Sequence, residues 1–297
     1  MKHIGIIGAS GLMGHGIARN LQRKGFDVSL SIHRNSERVA DLLAAGARQV
    51  TGPAELGACD AVIICVTGSP QVEQVLSSPQ GVLSGARAGL IVIDTSTSEP
   101  ESTRRLAALC AGRSVTLVDA PLARTPTEAE LGKLNTMVGA EQAVFDRIAP
   151  VLAAYCENIF HVGGPGAGHV IKLLNNFIGQ AICTATAEAF AVGALAGIEP
   201  RKLVEVITAG AVNSGLFQAM AKTLDGNFEG IRFELDNARK DLRYYTHLAE
   251  EVKVPALVGE AVHQSLVTAS ALGQGAKYVP ALVTAQEKLT GAKITPR

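Results

Sequence analysis

The architecture of this chain turns on Gly8-Ala9-Ser10-Gly11-Leu12-Met13-Gly14. The stretch follows the apolar run His3–Ile7 and leads into the helix-like run His15–Gly25. A strand, a tight glycine-rich turn and a helix N-terminus together form an anion site. The glycines let the backbone approach a pyrophosphate, and the unpaired N–H groups and helix dipole face it. The spacing is GxxGxxG rather than the usual GxGxxG, and a glycine motif alone is weak evidence. Its place in a strand–turn–helix unit at the start of the chain gives it weight. Gly8, Ser10, Gly11, Leu12 and Met13 are therefore expected to bind a dinucleotide cofactor.

Outward from this turn, the first half of the chain alternates. Short apolar runs recur at Val28–Ile32, Ala61–Cys65, Leu90–Asp94, Val115–Asp119 and Asn158–Val162. Most are separated by helix-like segments such as Ser36–Ala45 and Pro100–Ala111. This predicts a mainly parallel sheet with helices on both faces. Leu134–Val138, close behind Gly132, reads as an antiparallel addition. The pattern changes at Gly163-Gly164-Pro165-Gly166-Ala167-Gly168. Ala167 to about Ala196 reads as one helix of roughly 45 Å. Later helices are expected to start near Pro200, Leu235 and Pro255. The expected fold class is α/β, with an N-terminal Rossmann dinucleotide-binding domain over 1–164. A C-terminal all-α domain over 165–297 follows, joined by the long interdomain helix.

Composition narrows the function. Apolar residues make up 47% of the 297, too many for a disordered chain. Lys plus Arg (27) equals Asp plus Glu (27), so no basic excess points to nucleic acid. There is no Trp and only 4% aromatics, so no stacking platform for bases is evident. The five cysteines form no CxxC pair, and the seven His show no zinc spacing; no metal site is expected. Scattered cysteines read as reduced, mostly buried thiols. The N-terminus does not resemble a signal peptide. The apolar stretch Ala181–Ile198 carries Glu188 and reads as a buried helix rather than a membrane span. A cytoplasmic protein with no membrane and no nucleic-acid partner is expected.

The end of the second strand bears on cofactor choice. An NAD site usually has Asp or Glu there to bind the ribose hydroxyls. This chain has His33-Arg34-Asn35, and no carboxylate until Glu37. An Arg at this point can pair with a 2′-phosphate. NADPH is expected in preference to NADH, with His33 beside the adenosine and Arg34 and Asn35 near the phosphate.

Lys172 and Asn176 lie four apart and so share one face of the long helix. Apolar neighbours such as Val170, Ile171, Leu173, Leu174 and Phe177 surround them. A Lys in such surroundings is costly unless paired or functional, and burial lowers a lysine pKa toward the range useful in acid–base work. Three further segments complete a pattern: Asp94-Thr95-Ser96-Thr97-Ser98-Glu99-Pro100, the run from Asp119 to Ala140, and GGPGAGHVIKLLNNFIG over Gly163–Gly179. With the N-terminal turn, they resemble the β-hydroxyacid dehydrogenases over nearly the whole chain. The resemblance implies reversible hydride transfer at a primary alcohol or aldehyde, in homodimers or homotetramers. It gives Lys172 the role of proton donor to the carbonyl oxygen, and Asn176 that of holding the substrate. It places Ser96 beside substrate and nicotinamide, and adds Val66, Thr67 and Lys240 to the cofactor site. A cap for the helix near Pro100 is the structural alternative for Ser96. A surface ion pair with Asp241 or Asp236 is the alternative for Lys240. Asp94, Asp119, His161 and His169 receive no catalytic role.

The chain departs from the family at its substrate loop. The usual DAPVSGG holds a carboxylate through a Ser and two glycines. Here those positions read Ala123-Arg124-Thr125. A guanidinium grips an anion by two parallel hydrogen bonds and stays charged at any working pH. Two small anionic substrates compete. One is a carboxylate, as in a 3-hydroxy acid or semialdehyde, which is preferred. The other is a sulfonate, since sulfolactaldehyde reductases have Gly-Arg-Thr in this loop. An imine reductase or a non-catalytic NADPH-binding protein shares the architecture, but such proteins usually lack the Lys that stands here as Lys172.

Overall fold

The computed structural model describes residues 1–33 and 35–296. They form two compact units, Met1–Lys172 and Leu173–Arg297. The division between the two units falls inside the long helix.

Unit 1 is a nine-stranded sheet flanked by helices. In chain order its elements are β1 (His3–Ile7), α1 (Leu12–Arg23), β2 (Asp27–Ser31), α2 (Ala40–Ala44), β3 (Arg48–Val50), β4 (Ala61–Ile64), α3 (Ser69–Ser77), β5 (Ile91–Asp94) and α4 (Pro100–Ala111). They continue with β6 (Thr116–Asp119), β7 (Leu122–Ala123), α5 (Pro126–Leu131), β8 (Leu134–Gly139), α6 (Gln142–Leu152), β9 (Cys156–Gly163) and the start of α7 (Ala167–Leu195). The strand order is β3-β2-β1-β4-β5-β6-β8-β7, with β9 paired to β8. Strands β1 to β6 pair in parallel, whereas β8 runs antiparallel to β6 and β7. Sequence periodicity thus finds six strands and the antiparallel addition, and misses β3 and β7. Those two are three and two residues long, too short for a period-2 pattern to register.

The central strands read as unbroken apolar runs because both faces are covered. Side chains alternate across the sheet. Ile4, Ile6, Ile63, Ile91 and Ile93 enter one core with α1. Ile7, Val62, Ile64 and Val92 enter the other with α3 and α4.

Unit 2 is helical. The remainder of α7 is followed by α8 (Pro200–Thr208), α9 (Gly215–Ala221), α10 (Leu235–Glu251), α11 (Leu257–Ala269) and α12 (Leu282–Thr290). The only strand-like pairing among its described residues is an isolated bridge, Glu234 with Tyr278. Cys183, Ala187, Phe190 and Ala191 on α7 join Phe217, Met220, Leu242, Leu266 and Val283 in its core. Among the described residues, α7 is the one helix long and apolar enough to span a membrane by length and composition. It is not buried all round: Leu174, Ile178, Val192 and Leu195 on its other face are exposed. All five cysteines are free thiols. Burial pushes the thiols of Cys59, Cys65 and Cys110 up to about 11, away from the thiolate.

Candidate active site

The turn after β1 is built for close approach. Gly8 has φ +97°, and a Cβ there would lie 2.0 Å from the Cys65 carbonyl oxygen. A Cβ on Gly14 would lie 2.2 Å from the Gly8 oxygen. The Gly11 N–H donates to the Gly8 carbonyl at 2.9 Å and closes the turn. Gly11 then caps α1 through backbone alone: no side chain caps it and no acid stands in the first turn. Gly11 and Leu12 are exposed, while Ser10 and Met13 are half-buried. An exposed helix start whose N–H groups have no intrahelical acceptor suits a phosphate. Gly8, Ser10, Gly11, Leu12 and Met13 therefore fit a dinucleotide pyrophosphate.

At the end of β2, His33 and Asn35 are exposed, and Asn35 takes a left-handed conformation (φ 58°). Arg34, the residue expected to read the 2′-phosphate, lies outside the described residues.

The loops after β4 and β5 brace each other. The Val66 N–H donates to Ser96 Oγ at 3.0 Å, and the Ser96 N–H to Asp94 Oδ1 at 2.9 Å. Ser96 is 3% exposed. Its hydroxyl joins two loops and does not cap α4, whose N-cap is Glu99. Thr67, next to Val66, is exposed.

The substrate-loop residues sit at β7 and the start of α5. Ala123 is half-buried at the end of β7. Arg124 is exposed and has φ +81°, the region that favours glycine. The Arg thus keeps the backbone shape expected of the glycine that the resemblance places here. Its Nη1 donates to the Lys133 carbonyl at 2.6 Å and meets the Glu157 carboxylate at 2.5 Å. Thr125 caps α5 in a reciprocal box with Glu128: Oγ1 accepts from the Thr127 N–H at 3.3 Å, and the Thr125 N–H donates to Glu128 at 3.0 Å. Glu157 is remote in sequence, and no spacing signal marks it.

On α7, Lys172 is half-buried and is the last residue of unit 1. Asn176, one turn on, is 9% exposed. In unit 2 its Nδ2 donates to Asp241 Oδ2 at 2.6 Å, and Asn175 Nδ2 donates to Asn176 Oδ1 at 3.2 Å. Lys240 Nζ lies 2.9 Å from the other Asp241 oxygen and 5.0 Å from the Tyr244 ring centroid. The Lys240–Asp241 pair is drawn inward, with side chains 15% and 2% exposed. Asp241 therefore orients the Asn176 amide and balances the Lys240 charge at once.

Two ionic clusters escaped the sequence reading. In the first, His15 Nδ1 lies 2.7 Å from Glu130 and Nε2 lies 3.0 Å from Asp41, and Arg19 pairs with both carboxylates. Carboxylate oxygens only accept, so the geometry favours a proton on each ring nitrogen, the charged form of His15. Burial opposes this charge, but the two carboxylates outweigh it and His15 goes up. The cluster ties α1, α2 and α5 together. The second surrounds His169 in the first turn of α7. Asp119 accepts from the Gly166 N–H at 2.7 Å and the His169 N–H at 2.9 Å. Burial pushes the Asp119 carboxyl up, against the pull of His169 and these N–H groups. Among the described residues no group of three side chains could hold a metal ion.

A parallel sheet covered on both faces, with a ligand-ready glycine turn after its first strand, defines a dinucleotide-binding protein. Residues 3–163 match the NAD-binding domain of 6-phosphogluconate dehydrogenase, and residues 166–285 match the NAD-binding family of NADP-dependent 3-hydroxyisobutyrate dehydrogenase. The chain is 32% identical over 295 residues to 2-(hydroxymethyl)glutarate dehydrogenase of Eubacterium barkeri, covering 98% of this chain and 97% of that one. It is 31% identical over 279 residues to 3-sulfolactaldehyde reductase of Escherichia coli (strain K12), covering 93% and 92%. The crystal structure of 3-hydroxyisobutyrate dehydrogenase from Salmonella typhimurium is similar at a TM-score of 0.83 and 30% identity, covering 96% of this chain and 99% of that one. The chain belongs to the β-hydroxyacid dehydrogenase family and is an NAD(P)-dependent oxidoreductase.

Proposed function

We propose that this enzyme transfers hydride between NADP(H) and a small anionic 3-hydroxy acid or its semialdehyde. The observation that carries the reading is the pair Lys172 and Asn176, one helical turn apart on α7, with the Asn176 amide fixed by Asp241. The nicotinamide supplies or accepts the hydride when bound. Lys172 gives a proton to the carbonyl oxygen in reduction and takes it back in oxidation. Asn176, held by Asp241, presents its amide to the substrate. Val66 and Thr67 border the cofactor in unit 1, where Ser96 shapes their loop through its bond to the Val66 N–H, and Lys240 is a cofactor residue of unit 2. The lack of a carboxylate between the end of β2 and Glu37 supports NADPH over NADH, with Arg34 as the phosphate partner.

Arg124 binds the substrate anion, exchanging its bond to Glu157 for one to the ligand. A sulfonate is the second reading, supported by Arg124 and by the likeness to 3-sulfolactaldehyde reductase. A homodimer or homotetramer is proposed as well. No residue of α8 is buried, and Val206, Val192 and Leu195 are 71%, 63% and 61% exposed, an apolar surface suited to a second copy.

The test is NADPH and NADH oxidation with glyoxylate, succinic, tartronate and methylmalonate semialdehydes and sulfolactaldehyde, plus reduction of NADP+ by 2-(hydroxymethyl)glutarate. Turnover of a carboxylate substrate with NADPH supports the proposal. Turnover of sulfolactaldehyde alone makes Arg124 a sulfonate reader. A Lys172→Ala variant that turns over nearly as well as the parent removes Lys172 from the chemistry. Light scattering after size exclusion reads the assembly, and a monomer overturns the proposed oligomer.

A further inference from the structure

His169 is fully buried in unit 1, three residues before Lys172 on α7. Nothing in the proposed reaction uses it. Its Nε2 lies 3.2 Å from the Ser96 carbonyl oxygen, which only accepts, so Nε2 carries a proton. Its Nδ1 lies 2.7 Å from Thr103 Oγ1 on α4. Two carboxylates face the ring: Asp94 at 3.7 Å from Nε2, and Asp119 at 3.9 Å from Nδ1. Asp94 also accepts from the Ser96 N–H and from Ser98 Oγ, while Asp119 accepts from the first N–H groups of α7. One imidazole therefore joins the loop after β5, the end of β6, α4 and the first turn of the helix that carries Lys172. Through Ser96 the brace reaches the Val66 N–H after β4.

We infer that His169 is a positioning residue that sets the start and rotation of α7, and so the reach of the Lys172 ammonium toward the reacting carbonyl. The inference rests on the reading of Lys172 as the proton donor. A helix turns by about 100° per residue, so a small slip in its first turn moves Lys172 sideways by ångströms. A misplacement of about 1 Å costs on the order of a hundredfold in rate. The side chain fits this task better than a solvent-facing one. It is fully buried, hydrogen-bonded at both nitrogens and faced by two carboxylates, so it has one orientation.

The variants are His169→Leu, His169→Gln, Thr103→Val and Lys172→Ala in the full chain. His169→Leu is expected to lower kcat about a hundredfold while KM for the cofactor stays within about twofold, and to move the pH limb of kcat that Lys172→Ala abolishes. His169→Gln restores a donor toward the Ser96 carbonyl and should recover most of kcat. Hydrogen exchange in cofactor-free protein should quicken in the first turn of α7 in His169→Leu and return toward the parent rate in His169→Gln. Thr103→Val removes the Nδ1 partner and should give a smaller loss of kcat in the same direction, which serves if His169→Leu does not fold. Unchanged kcat and pH profile in folded His169→Leu or Thr103→Val, with Lys172→Ala inactive, overturns the positioning role alone. An active Lys172→Ala overturns the underlying reading and this role with it.

Discussion

Arg124 separates stability from substrate binding in a way two variants can read. Its backbone sits at φ +81°, which costs an L-residue about 1–2 kcal/mol. Arg124→Gly recovers that strain but adds unfolded-chain freedom worth about 0.5–1 kcal/mol. It also loses the Nη1 bond to the Lys133 carbonyl, worth about 0.5–1.5 kcal/mol, and the ion pair with Glu157, whose side chains are 31% and 45% exposed and whose worth is about 0–1 kcal/mol after screening. These terms nearly cancel, so Arg124→Gly should unfold within about 1 kcal/mol of the parent. Arg124→Ala keeps the strain and loses the pair, so it should be no more stable than the Gly variant. Substrate binding responds differently. A charge-assisted hydrogen bond to a bound anion is worth about 1.5–3 kcal/mol, which is roughly 10- to 150-fold in KM. Both variants should show that rise for the anionic substrate, with KM for the cofactor unchanged. Glu157→Gln frees the guanidinium and should lower KM by up to about fivefold, the worth of the surface pair. Urea unfolding and steady-state kinetics on the same preparations give both quantities. A stability loss above about 2 kcal/mol in Arg124→Gly would make Arg124 a structural clamp between β7 and β9, and an unchanged KM in both variants would sink the anion grip.

Gly14→Ala would place a methyl 2.2 Å from the Gly8 carbonyl oxygen, which backbone cannot relieve; isothermal titration should find NADPH binding weakened by more than about tenfold, and parent-like affinity would refute the cradle. Lys172→Ala should lower kcat by about 10²- to 10⁴-fold with NADPH affinity retained by fluorescence titration, the span expected for a lost acid–base group. His15 has a raised pKa, so its contribution to stability is fully present below about pH 6.5 and fades as pH rises through the raised value. Unfolding free energy should therefore fall more between pH 6.5 and 9 in the parent than in His15→Gln, and equal slopes would remove His15 from the linkage. Thr125→Val breaks the capping box of α5 and should cost about 0.5–2 kcal/mol in urea unfolding, against no change if the cap is idle.

The strands, the phosphate turn and α7 were legible because local patterns carry them: unbroken apolar runs, a glycine turn, an i,i+4 pair. The expected helix from Ala167 to about Ala196 closely matches Ala167–Leu195. What stayed hidden depends on long-range pairing. Glu157 reaches Arg124 across 33 residues, and Asp241 reaches Asn176 across 65. His169 draws no role from the sequence because a lone His in an apolar helix start gives no hint of two strand-end carboxylates. Ala181–Ile198 reads as a buried helix because it is rich in Ala and Gly and carries Glu188. Composition does not say which face a single chain leaves uncovered, and here Val192 and Leu195 stay exposed.

The residues with the most suggestive types are also those the fold itself uses. The Ser96 hydroxyl accepts the Val66 N–H, the Thr125 hydroxyl caps α5, and the Arg124 guanidinium holds Glu157. Each could take part in ligand binding, but at different costs. Breaking the bond of a 3% exposed Ser96 leaves the half-buried Val66 N–H without its acceptor, a loss of up to about 1–3 kcal/mol. Exchanging an exposed ion pair for a ligand anion costs about 0–1 kcal/mol. The two costs rank the loop residues. Arg124 can move to a substrate, whereas Ser96 contributes by staying where it is and keeping the loops after β4 and β5 in register. Substrate selectivity should therefore respond to changes at Arg124 and Glu157, while changes at Ser96 should lower turnover for every substrate alike.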